Sequence, residues 1–155
     1  MFFRPYMMET IAKLAEDFEL ILFTDGLREL HTKIIEKIDP EEKYFSFRLF
    51  REHCFESSKG FFVKDLRIIN RRMEDTVLVD NSTCAFGFQL ANGVPIIPYT
   101  GDNTDVELLL LSEYLTQLLP TPDVRKQNKE HFRYHLYPGA DTVQAVYQRV
   151  FKHEH

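Results

Sequence analysis

Two short segments of the sequence place oxygen donors directly after apolar runs. Thr24-Asp25-Gly26 follows Leu20-Ile21-Leu22-Phe23, and Asp80-Asn81-Ser82 follows Val77-Leu78-Val79. A hydroxyl ahead of a glycine and a helix start offers an oxygen and free N–H groups to a phosphate or other oxyanion. The same residues also serve as a plain helix cap. A carboxylate beside an amide oxygen is a hard donor pair of the kind magnesium accepts while keeping several waters; Asp-Asn-Ser is equally a good turn sequence. Lys64 follows an aromatic strand and precedes Asp65. It can neutralise a phosphate and a nearby carboxylate, or pair with Asp65 at the surface. Arg51, within Leu49-Phe50-Arg51-Glu52-His53-Cys54, carries a fork that clamps phosphate or forms a salt bridge within a hairpin.

Other candidates have less behind them. His131 and His135 stand four apart, the helical spacing of a metal pair, but no third ligand or acidic partner shares their register, and zinc needs three or four protein ligands. Cys54 and Cys84 lack C-x-x-C spacing, and each reads as a small buried residue rather than a nucleophile. No glycine-rich phosphate loop is present.

The elements that must position these residues alternate along the chain. Residues 5–18 read as an amphipathic helix through Met8, Ile11, Leu14, Ala15 and Phe18, with Pro5 near its start. Leu20–Phe23 is a continuous apolar run, as a strand buried on both faces requires. A second helix runs through Leu27, Leu30, Ile34, Ile35 and Ile38, and Asp39-Pro40 stops it. Phe45, Phe47 and Leu49 alternate with polar residues as a half-exposed strand, and Ser57-Ser58-Lys59-Gly60 makes a hairpin turn into Phe61-Phe62-Val63. Val77-Leu78-Val79 is a third apolar strand. Val94–Tyr99 is a fourth, placed near a sheet edge by its prolines. A helix over about 105–119 has Asp102 or Thr104 as caps; Thr121-Pro122 breaks the chain before a short polar helix, and a last amphipathic helix uses Val143, Val146, Tyr147 and Val150.

Apolar strands alternating with helices predict an α/β fold, a parallel sheet covered on both faces. Chemistry then sits at the carboxyl ends of the strands, which selects Thr24 and Asp80-Asn81. The 155 residues suit one domain with a real core. A net charge of -5 argues against nucleic acid as a partner, the apolar runs are too short to span a bilayer, and Met1-Phe2-Phe3-Arg4-Pro5 lacks the pattern of a signal peptide. Two cysteines give no disulfide framework, so an intracellular, reducing setting, nuclear or cytoplasmic, is expected.

In this order and setting the residues resemble the small C-terminal-domain phosphatase and Dullard family of the haloacid dehalogenase superfamily. The resemblance runs from Arg4-Pro5, similar to the family's R-P-G, to about Asn128. Phe23-Thr24 resembles the second motif, the phosphate-binding hydroxyl. Leu49-Phe50-Arg51-Glu52-x-Cys54 and Val63-Lys64-Asp65-Leu66 follow the hairpin insertion and third-motif lysine, and Val79-Asp80-Asn81-Ser82 resembles the fourth motif, in which the Asn81 position ligates magnesium; Asn92, Pro95-Ile96 and Asp105-x-Glu107-Leu108 continue the pattern. Asp25 departs from the small residue usual after the threonine, and Thr83 from a common proline. The resemblance implies a three-layer, Rossmannoid parallel sheet with a small β-hairpin insertion at about 45–63. The phosphatase domain would cover 1–120, and a helical extension 121–155.

The resemblance also implies a magnesium-dependent phosphatase acting on phosphoserine or phosphothreonine in a phosphoprotein or phosphopeptide, through an aspartyl-phosphate. Thr24 and Lys64 would be catalytic and, with Arg51, would hold the phosphate, while Asp80 and Asn81 would hold the metal. The family's first motif, D-x-D-x-T/V, supplies nucleophile and general acid from a central strand upstream of R-P-G. No such motif occurs in these 155 residues, and three residues precede Arg4. The expectation is therefore a sheet lacking its central first strand, weak or absent magnesium binding, little or no hydrolysis, and a homo-oligomer formed through the gap. A pseudophosphatase acting as a phosphopeptide- or protein-binding module is the alternative, as is kinship with the non-enzymatic mitochondrial inner-membrane translocase receptor; the retained Asp80-Asn81 favours phosphatase ancestry over the latter.

Overall fold

The structure is a computed structural model and describes residues 3–133. Its order is α1 (Met7–Asp17), β1 (Leu20–Phe23), α2 (Arg28–Ile38), β2 (Phe45–Leu49), β3 (Phe55–Glu56), β4 (Phe62–Val63), β5 (Leu78–Asp80), β6 (Gly93–Pro95), α3 (Glu107–Leu118) and α4 (Val124–Phe132). The alternation yields the α/β fold with parallel strands that it predicts. β1 pairs in parallel with β2, and β5 in parallel with β6. β3 and β4 form a short antiparallel hairpin, turned at Gly60 with φ +80, where a side chain would be strained.

Four boundaries differ from the sequence reading. The half-exposed strand at Phe45–Leu49 is not an arm of the hairpin insertion but the parallel neighbour of β1, so the hairpin starts at Phe55. The fourth strand is shorter than its apolar run, because Pro95 and Pro98 remove N–H donors that a longer ladder would use. Helix α1 starts at Met7, after Tyr6 in the left-handed region. Neither Asp102 nor Thr104 caps α3; Asp105 Oδ1 instead accepts the N–H of Glu107 at 3.1 Å, while Asp102 accepts from Thr104. The helix read through Val143–Val150 lies outside the described residues.

The core gathers on one side. Leu14 from α1, Leu78 and Val94 from β5 and β6, Phe86 from the loop between them, Tyr114, Leu115 and Leu118 from α3, and Val124 and Phe132 from α4 pack into one cluster. On the other side, α2 and the loop after β2 bury Ile35 and Phe50. Strand β1 departs from its apolar run most clearly. All of Leu20–Phe23 is half-buried, and among the described residues β1 has its ladder partner, β2, on one edge. Among the described residues β1 does not pair with β5. No described helix is long and apolar enough to cross a membrane.

A half-buried clamp joins the segment before α1 to the segment before α3. Arg4 makes a fork–fork pair with Asp105, 2.8 Å on each arm, and donates to the carbonyl of Ile97 at 2.7 Å. Two residues distant in sequence, Arg4-Pro5 and Asp105-x-Glu107, thereby form one contact.

Candidate functional site

The carboxyl ends of β1 and β5 meet at Lys64. This lysine leaves β4 buried, its N–H bound to the carbonyl of Ala85 at 2.7 Å. Its Nζ lies 2.5 Å from Asp80 Oδ2 and 6.0 Å from the centre of the Phe23 ring. The surface pairing with Asp65 that the sequence leaves open does not form. Asp65 instead takes the Arg67 guanidinium at 2.6 Å and the Gln89 amide at 2.8 Å, while Gln89 Oε1 accepts the N–H of Leu66. Arg67 and the converging N–H donors hold the Asp65 carboxyl at about 2, against the opposing effect of burial. Gln89 and Ala85 thus brace the segment that aims Lys64. They were invisible in the sequence, where both sit in a loop without periodicity.

Thr24 ends β1. Its Oγ1 accepts the N–H of Gly26 at 3.0 Å, a tight local turn that satisfies one donor ahead of α2. Gly26 is buried under His31, and a Cβ there would stand 2.1 Å from the imidazole. A side chain there would require the His31 ring to swing aside. Arg51 closes over the same turn: its Nε donates to the carbonyl of Asp25 at 2.6 Å, its N–H to the carbonyl of Gly26, and its guanidinium lies 4.8 Å from the Phe62 ring centre. Asp25 itself is exposed.

Cys54 sits amid these groups. Its thiol reaches toward the carbonyls of Thr24 and Phe50, and burial pushes it up; the charges it feels are those of Lys64, Asp25, Arg51 and Asp80. It is therefore a neutral, half-buried spacer between the β1 turn and the Lys64–Asp80 pair. The sequence reading of Cys54 as packing fits this position but gave no hint that it lies at the centre.

Thr24, Arg51, Lys64 and Asp80 are thus brought to the carboxyl ends of β1 and β5. Asn81 follows Asp80 but is exposed. As a magnesium site the residues present do not fit. One oxygen of Asp80 is committed to Lys64 and the other to the N–H of Ser82 at 2.9 Å, and hard cations need several free oxygens. Among the described residues no cluster of three metal-ligating side chains exists. His131 stacks on Tyr114, ring centres 4.8 Å apart, so it is part of the packing around α3 and α4; His135 lies outside the described residues.

The family model of NLI interacting factor-like phosphatases matches residues 1–125. The chain is 36% identical over 130 residues to "CTD small phosphatase-like protein 2" of Dictyostelium discoideum, covering 84% of this chain and 23% of that protein. To "CTD small phosphatase-like protein 3" of Caenorhabditis elegans it is 36% identical over 132 residues, covering 84% and 45%. With the mouse "Carboxy-terminal domain RNA polymerase II polypeptide A small phosphatase 2" it shares 36% over 121 residues, covering 78% and 44%. The structure of the fission yeast RNA polymerase II CTD phosphatase bound to beryllium fluoride superposes with a TM-score of 0.53 at 17% identity, covering 97% of this chain and 46% of that one. The chain spans less than half the length of these relatives. It belongs to the NLI interacting factor-like phosphatase family, and its fold is that of the haloacid-dehalogenase-like phosphatases.

Proposed function

We propose that this chain is the phosphate-recognising part of a protein serine/threonine phosphatase, and that the 155-residue polypeptide by itself binds phosphorylated protein segments without hydrolysing them. The carrying observation is Lys64, buried at the meeting point of β1 and β5. A buried ammonium answered by a single carboxylate becomes a strong anion site when a phosphate shares it. In this reading Lys64 and the Thr24 hydroxyl contact the phosphate oxygens, and the Arg51 fork orients the rest of the phosphoresidue. The names of the relatives, phosphatases of an RNA polymerase II domain among them, support a phosphoprotein as the partner, in an intracellular setting.

Hydrolysis through an aspartyl-phosphate needs an aspartate placed at the phosphorus. No D-x-D occurs in the 155 residues, and the described carboxylates at the site are engaged or exposed: Asp80 with Lys64, Asp25 at the surface. A chain that adds such a strand would be an enzyme, with magnesium completing its coordination from the added carboxylates. In this reading the 155-residue polypeptide is instead a binding module, and the edges of β1 and β5 that stay unpaired with each other among the described residues promote self-association. A fluorescent phosphoserine peptide and its unphosphorylated twin test this. The phosphorylated form binds, Lys64→Ala and Arg51→Ala weaken it about ten-fold or more, and no phosphate is released. Equal binding of the two peptides would remove the phosphate site from the account.

A further inference from the structure

Asp80 is held by Lys64, Asp65 by Arg67 and Glu52 by Arg28. Asp25 is different. It stands exposed in the turn between Thr24 and Gly26, and among the described residues its carboxylate accepts no hydrogen bond and joins no salt bridge. It is not spent on α2, which starts at Arg28 behind Leu27 and has no side-chain cap. Arg51 does not take the carboxylate either, because its Nε donates to the main-chain carbonyl of Asp25 at 2.6 Å.

The turn that carries Asp25 is pinned by its main chain. The N–H of Thr24 donates to the carbonyl of Leu49 at 3.0 Å, that of Gly26 to Thr24 Oγ1 at 3.0 Å, and that of Arg51 to the carbonyl of Gly26 at 3.1 Å. The Cys54 thiol reaches toward the carbonyl of Thr24 from below this turn. The carboxylate is therefore presented from a fixed backbone. Its charge acts on the Cys54 thiol together with those of Lys64, Arg51 and Asp80, so it belongs to the electrostatics of the candidate site. An anion in this place repels a bare phosphate. It becomes favourable when the ligand carries a cation beside its phosphate, and it penalises a ligand that carries a second anion there.

We infer that Asp25 is a specificity-determining residue: among phosphorylated protein segments it selects those with a lysine or arginine close to the phosphoresidue and rejects those with acidic neighbours. The inference rests on the phosphate reading of Thr24, Arg51 and Lys64. Phosphate and cation are then read from consecutive positions of one turn, the phosphate at Thr24 and the cation at Asp25. An extended segment advances about 3.3 Å per residue, so the cation belongs within about two positions of the phosphoresidue. Because Asp25 is exposed, the pair forms in water and its gain is modest. Asp25 therefore sets a preference among segments, while Lys64 and Arg51 supply the affinity.

The test uses the 155-residue protein and fluorescent phosphoserine peptides that carry lysine, alanine or glutamate at the flanking positions, each beside an unphosphorylated twin. The lysine phosphopeptide is expected to bind about three- to five-fold more tightly than the alanine one, the range of an exposed ion pair, and the glutamate one more weakly than either. The preference should shrink as salt is raised, since charges at physiological ionic strength are screened over ~8 Å. Asp25→Asn should erase the lysine preference and bind the alanine phosphopeptide at least as tightly as before, a split that damage to the fold would not produce. Asp25→Lys should invert the order of the lysine and glutamate phosphopeptides. A lysine preference that survives Asp25→Asn, or no preference at all while phosphorylated peptides still bind better than their twins, would overturn this inference alone. Equal binding of phosphorylated and unphosphorylated peptides would overturn the phosphate reading and this inference with it.

Discussion

The half built on β5 and β6 is held by volume, whereas the half built on β1 and β2 is held largely by hydrogen bonds. In the first half, Phe86 is completely buried, and α1, α3 and α4 close over it with Leu14, Leu118 and Phe132. In the second, Ile35 and Phe50 are the buried apolar side chains, and the turn after α2 is organised around Asp39, which accepts the N–H groups of Lys43, Tyr44 and Phe45 and faces Arg48. Leu30 on α2 is 63% exposed and Phe47 on β2 is 53% exposed. The lesson concerns where the functional groups stand. Each half delivers part of the site, Thr24 from the thin half and Lys64 with Asp80 from the thick one, so the site is a seam between regions of unequal burial.

The largest effect should come from the thick half. Phe86→Ala removes a fully buried ring and should cost about 3–5 kcal/mol, measured by denaturant unfolding. Leu30→Ala on α2 should change stability by no more than about 0.5 kcal/mol. Similar costs at the two positions would abolish the contrast between the halves.

The next effect tests the seam. Lys64→Ala leaves the Asp80 carboxylate buried without its partner, and should cost about 3 kcal/mol. The double change Lys64→Met with Asp80→Leu should recover most of this, because matched apolar groups replace a pair whose desolvation is costly. A double variant as unstable as the single one would mean that the lysine acts through something other than the pair.

Acid should loosen both halves by the same sign. Arg67 holds Asp65 at about 2, and Arg4 holds Asp105 below the usual carboxylate range. Asp39 is also held low: burial opposes this, but the N–H donors of Phe45, Lys43 and Tyr44 outweigh it. Folded-state values below the unfolded ~3.9 mean that the stabilisation is complete above about pH 5 and is lost as pH falls toward 2. Asp39→Asn should flatten this loss in a pH-dependent melting series. An unchanged slope would show that the thin half does not depend on its carboxylate.

The smallest effect is expected from magnesium. Both oxygens of Asp80 are in use, so millimolar magnesium should leave the melting temperature where it is. A rise that Asn81→Ala removes would mean that Asp80 gives up its lysine for the metal.

Much of this was legible in the sequence, because strand and helix periods are local. Leu20–Phe23 is the strand read from its apolar run, and the helix read through Leu27–Ile38 is α2. Strand ends and resemblance point in the sequence to Thr24, Arg51, Lys64 and Asp80. Long-range pairing was not legible. Nothing in Phe45–Leu49 announces that its partner is β1 rather than the other arm of a hairpin, since alternation specifies a face and not a neighbour. Nor does local sequence disclose that Lys64 takes Asp80 over the adjacent Asp65, or that Gln89 holds that Asp65 from a loop 24 residues away. Such choices depend on which loops the fold brings together.

The most direct test of the central claim, that the seam carries the groups that hold a phosphate but not one that attacks it, is aryl phosphate hydrolysis by the purified 155-residue protein in the presence of magnesium. The account predicts phosphate release indistinguishable from a buffer blank, since loss of a covalent nucleophile costs many orders of magnitude. Turnover clearly above the blank that disappears in Lys64→Ala would contradict it and place a nucleophile within these residues.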